Sequence, residues 1–65
     1  MCYNIQKENL CFFIKYLDDR NIYYFDSTFN FYGIREDLDF VILEIEFDNN
    51  VQMLEFEGLF KSKLS

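Results

Sequence analysis

The chain has 65 residues, the length of one small domain, and a net charge of −6 from Lys+Arg 6 against Asp+Glu 12. That balance speaks against direct binding of DNA, RNA or an anionic membrane surface, whose phosphates would repel it, and favours a basic protein partner. A domain this short buries only about 60% of its unfolded surface. Phe 9 and Tyr 5 compensate, because each buried ring removes roughly 150–250 Å² from water. So much aromatic surface exceeds what one helix and one sheet can hide, and part of it is expected at an interface.

Pro, Trp and His are absent, a skew similar to that of proteins from AT-rich genomes, phages and mobile elements included. Without His there is no imidazole base and no histidine metal ligand. The N-terminal stretch has neither the basic start nor the apolar run of a secretory signal, and no segment reaches the ~18 apolar residues of a membrane span. The reading is a cytoplasmic chain with reduced thiols: Cys11 as a small core or boundary residue, Cys2 on a mobile end.

In chain order, Leu10, Phe13, Ile14 and Leu17 recur at helical spacing and predict an amphipathic helix over about 6–20. Asn4 is the expected N-cap, and Asn21 can take the left-handed conformation that ends helices. Phe12 and Tyr16 widen the apolar surface at i, i+4. The aromatic and β-branched run 22–32 predicts a strand with its odd positions, Tyr23, Phe25 and Phe29 among them, facing the core. Gly33 then opens a five-residue connection to a second strand over about 38–48.

That second strand organises the chain. Val41, Leu43, Ile45 and Phe47 alternate with Ile42, Glu44, Glu46 and Asp48, the period-2 signature of a strand with two different sides. Asn49-Asn50 reads as a hairpin turn, within a two- or four-residue loop, leading into a third strand over about 51–57. Ile45 then opposes Leu54, and Glu44 opposes Glu55. A tail over 58–65 follows. The expected fold is therefore α+β in a single domain, residues 1–65. One N-terminal helix crosses the greasy face of a three-stranded antiparallel meander (α-β-β-β), in two layers. Leu43, Ile45, Phe13, Leu17, Phe25 and Phe29 form its core.

Chemistry-bearing motifs are sparse. Neither cysteine belongs to a CxxC pair, the two glycines make no phosphate cradle, and the serines have no base to activate them. The expectation is a protein that is not an enzyme and has no metal or cofactor. In the predicted register Asp26, Glu44 and Glu55 form a row across the outer sheet face, ringed by Glu46, Asp48 and Glu57. Tyr24, Tyr32, Phe40, Ile42 and Met53 supply apolar anchors on that face. Charge for steering and aromatics for affinity is how protein interfaces divide labour.

In size, charge and composition the chain resembles phage-encoded inhibitors of host nucleic-acid machinery, anti-CRISPR and DNA-mimic-like proteins among them. The resemblance implies a chain that blocks or regulates a basic, nucleic-acid-handling partner. The alternative is a self-assembling protein that forms a homodimer through its outer sheet face.

Overall fold

The computed structural model describes residues 1–64. Along these the order is β1 (Cys2–Gln6), α1 (Lys7–Asp19), β2 (Tyr23–Asp26), α2 (Thr28–Tyr32), β3 (Phe40–Glu46) and α3 (Asn50–Leu64). The sheet order is β1-β3-β2, with both pairings antiparallel. The class is α+β, and β3 is central as its two-sided pattern predicts. The expected helix-then-three-strands order is overturned: a strand precedes the first helix, and a helix replaces the third strand.

β1 occupies the place expected of the third strand. It pairs Tyr3 with Leu43 and Ile5 with Val41. The Met1 carbonyl accepts the Ile45 N–H at 2.8 Å, while the Met1 amino group donates to the Ile45 carbonyl at 3.0 Å. Asn4 is therefore a strand residue and not a helix cap; the residue before α1 is Gln6, which makes no side-chain cap. Cys2 is not on a loose end but paired with Glu44, and both Cys2 and Cys11 are exposed free thiols.

α1 ends as its sequence predicts. Asn21 takes φ 57°, its N–H donates to the Asp18 carbonyl, and the Ile22 N–H donates to the Leu17 carbonyl at 3.0 Å. This is the Schellman pattern, completed by burial of Ile22 beside Leu17 in one apolar cluster.

The predicted strand 22–32 breaks after Asp26. The Asp26 carboxylate accepts the Thr28 N–H at 2.8 Å and its hydroxyl proton, and the Thr28 hydroxyl oxygen accepts the Ile42 N–H at 2.8 Å. The side chains of Asp26 and Thr28 thus end the ladder and start a helix, the competition with sheet geometry for which these residue types are known. Ser27 contributes its backbone N–H, which donates to the Ile42 carbonyl at 2.8 Å. α2 closes on Gly33 at φ 72°, a left-handed position that suits glycine. Because α2 stands in place of a simple loop, the β2–β3 register is Tyr24↔Ile45 and Phe25↔Glu44. That is one residue from the expected pairing, and a one-residue slip inverts the strand's faces. Tyr24 packs against the core; Tyr23 does not, and Phe25 is only half-buried. Phe29, expected inside, is 64% exposed.

The Asn49-Asn50 pair is a helix start, not a hairpin turn. Asn49 Oδ1 accepts the Gln52 N–H at 2.9 Å, and Gln52 Oε1 accepts the Asp48 N–H at 2.9 Å. This is a near relative of the capping box. The residues expected as strand 51–57 and most of the 58–65 tail form α3; position 65 lies outside the described residues. Lys61 and Lys63 occupy its last turn, where cations complement the helix dipole. Lys63 Nζ also sits 4.3 Å from the centroid of the Phe12 ring.

α1 and α3 share one side of the sheet. Tyr3, Ile5, Leu43 and Ile45 from the strands meet Phe13 and Leu17 from α1 and Phe56 from α3. Phe56, fully buried, stands amid the rings of Tyr3 (4.9 Å), Phe13 (5.4 Å), Phe47 (5.6 Å), Tyr16 (6.0 Å) and Phe60 (6.1 Å). These tilted and offset contacts each add about 0.5–1.5 kcal/mol beyond area burial.

Phe56→Ala is expected to destabilise by about 3–5 kcal/mol, comparable to the whole stability of so small a domain, and to leave the far-ultraviolet circular dichroism of an unfolded chain. Gly58 lies within α3, with open space where a Cβ would point. Gly58→Ala is expected to stabilise by about 0.5–1 kcal/mol in urea unfolding; a loss of stability would contradict the helix there.

Candidate functional site: the open sheet face

Alternation along the paired strands gives the sheet a second face, opposite α1 and α3. The register puts Cys2, Asn4 and Gln6 of β1, Phe40, Ile42, Glu44 and Glu46 of β3, and Tyr23 and Phe25 of β2 on it. Among these strand positions Glu44 and Glu46 are the only charged side chains, while Lys7 and Arg35 border the face at its Phe40 end. Among the described residues neither carboxylate forms an ion pair. Glu44 accepts a weak hydrogen bond from Cys2 Sγ at 3.4 Å.

Of the residues expected on this face, Phe40, Ile42, Glu44 and Glu46 are on that side of the sheet. Ile42 is buried and offers no exposed anchor, Phe40 and Glu44 are half-buried, and Glu46 is exposed. Tyr32 joins them from α2, its ring edge-on to Phe40 at 5.3 Å. The others are elsewhere. Asp26 pairs with Leu43 and not with the Glu44 position, and its carboxylate is spent on Thr28. Glu55 is an exposed residue of α3, so the three-strand acidic row does not form. Asp48 and Met53 border a shallow depression at the end of the sheet, with Glu46 on its rim.

Tyr24 and Glu57 face the helices. The Tyr24 hydroxyl donates to Asp18 at 3.0 Å, tying β2 to α1, and partial burial followed by that carboxylate raises its pKa. The Tyr3 hydroxyl donates to Glu57 at 2.9 Å, tying β1 to α3. Burial first, then the bond to Glu57 and its charge, push the Tyr3 phenol from 10.0 up to about 12.

The residues missed by sequence reasoning are Tyr23 and Phe25, assigned to the core, and Phe29, Phe31 and Ile34. Tyr23 is 60% exposed, Phe31 61% and Ile34 86%. Phe29, Ile34 and Phe40 line one shallow depression together with Lys7, Asp26 and Arg35. The surface of α2 and the turn after it thus continues onto the sheet face with charges of both signs among its apolar groups. The Asp-Ser-Thr helix start was the available signal, since it ends the strand that would have carried these rings inward.

No group of three or more His, Cys, Asp or Glu placed to hold a metal ion occurs among the described residues. No helix among them is long and apolar enough to cross a membrane. Comparison with family models, curated proteins and solved structures returns no match.

The Tyr3–Glu57 tie has a pH signature. The folded state holds the Tyr3 proton up to about pH 12, whereas the unfolded chain releases it near 10.0. The contribution is therefore complete below pH 10.0 and is lost as pH rises through about 12. The Tyr24 pKa is raised as well, and ultraviolet titration is expected to show a latest-ionising tyrosine at about pH 12. Tyr3→Phe, which keeps the ring packing, is expected to remove it and to cost about 1–2 kcal/mol.

Proposed function

We propose that this chain is a non-enzymatic binding protein that engages a basic protein partner through the open face of its sheet. One observation carries the reading: the rings of Tyr23 and Phe25 lie beside two carboxylates, Glu46 and Glu44, that form no ion pair, on strand rows without a cation. Apolar patches of this kind on small soluble proteins mark interaction sites. The carboxylates add long-range attraction for a positively charged partner and repulsion of anionic ones. A protein that handles nucleic acid presents such a basic surface, and blocking or regulating it is the role the charge balance favours. A homodimer through this face fits less well, because a second copy would bring the Glu44 and Glu46 rows toward their own kind.

The test is affinity capture from the native cell with wild-type protein and with matched variants. Glu44→Lys combined with Glu46→Lys is expected to abolish capture of a basic protein, and Phe29→Ser to weaken it, with circular dichroism unchanged. Capture is expected to weaken as salt rises. Glu55→Lys, on the opposite side of the molecule, is expected to leave it intact. Loss of capture with Glu55→Lys alone would move the interface to α3.

A further inference from the structure

We propose that the open sheet face binds an extended segment of its partner carrying arginines two residues apart, each seated on one aromatic–carboxylate pair. This rests on the reading of the face as a site for a basic partner and names the ligand chemistry. The register sets Phe25 beside Glu44 and Tyr23 beside Glu46. The two rings are 5.9 Å apart and inclined at 50°. Side chains directly opposed across antiparallel strands have Cβ atoms about 4.5–5.5 Å apart, so each row offers a ring with a carboxylate at its side.

A guanidinium suits that pairing. It is planar and weakly hydrated, stacks on aromatic faces, and donates two parallel hydrogen bonds to a carboxylate. An ammonium is a compact, strongly hydrated charge and meets only part of the site. On the helix side of this molecule Arg20 already stands over the Tyr16 ring, 3.8 Å from its centroid, the same partnership made internally.

The two rows follow each other at the two-residue step of a strand, about 6.6–6.8 Å. An extended ligand has the same step. Its alternate side chains fall on successive rows, and the intervening one points away. Exposed Phe and Tyr rings along α2 lie beyond the track and can receive apolar residues of the same partner. A second copy of this chain is not the occupant, because its matching face carries the same two carboxylates.

Fluorescence anisotropy with three labelled peptides of equal charge, containing Arg-Thr-Arg, Lys-Thr-Lys or Arg-Arg-Thr in the same flanks, tests the proposal on the full chain. Arg-Thr-Arg is expected to bind about tenfold more tightly than either control. Tyr23→Ala and Glu46→Gln, both at exposed positions, are each expected to weaken it about threefold to tenfold. Circular dichroism checks that both variants remain folded.

Equal affinity for the three peptides, or indifference to both variants, reduces the binding to general charge attraction and overturns the proposal. If no peptide binds while capture of a basic protein still depends on Glu44 and Glu46, the interface reading survives and the arginine track does not. Sedimentation showing a dimer that Tyr23→Ala dissociates overturns both.

Discussion

Every other element takes its place from the two-sidedness of β3. A central strand must satisfy partners on both edges and neighbours on both faces. β3 does so by alternating Val41, Leu43 and Ile45 toward the helices with Ile42, Glu44 and Glu46 away from them. β1 and β2 inherit the division through their registers. The greasy side then requires a cover that a single thirteen-residue helix cannot supply. α3 completes it, its large rings filling the space between helix and sheet. The interior is accordingly aromatic where a larger domain would use branched aliphatics. Stacked and edge-on rings allow so short a chain to exclude water from a core built on only three short strands.

The polar ties are placed where the packing is thinnest. Tyr3 to Glu57 and Tyr24 to Asp18 each join an edge strand to a helix. In both, the phenol lies against apolar groups and only its oxygen reaches a carboxylate near solvent. Such bonds fix register and orientation more than they add stability, since each replaces hydrogen bonds to water. Two of the acidic residues that inflate the net charge thus have structural employment, leaving Glu44 and Glu46 as the unpaired carboxylates of the open face.

What was legible in the sequence was whatever depended on local periodicity. The first helix, its Asn21 terminus and the inward set of β3 all follow from residue spacing within one element. The faces of β2 did not, because a strand's orientation depends on the length and form of its connection, and α2 is hidden in an aromatic run that also alternates. The third helix was missed for a related reason. In VQMLEFE the run Leu54-Glu55-Phe56-Glu57 alternates apolar and charged as a strand would. Met53, Phe56 and Phe60 fit a helical stripe only when the segment is read beyond Gly58, together with the Asn49–Gln52 cap. The pairing of β1 had no local signal: residues 1–6 are as compatible with an extended end as with a strand, and only the open edge of β3 decides between them. For the site, Glu44 and Glu46 fall on the face away from the helices, as their alternation predicts, while the rings of Tyr23 and Phe25 beside them were assigned to the other side.

The pairing of β1 with β3 also sets the order of events in synthesis. The Met1–Ile45 bonds span a separation of 44 residues, so β1 must wait for β3 to be made. At translation rates of about 5–20 residues per second, that wait is on the order of seconds. During it Tyr3 and Ile5 have no sheet to join, while α1 can form from local contacts alone and shield part of its own stripe. Closing a loop of that length precedes any gain from the strand pairing, which slows folding relative to a helical bundle of equal size. β1 therefore remains an unpaired apolar strand until β3 emerges, and a chaperone, or another nascent copy, would find it in that interval.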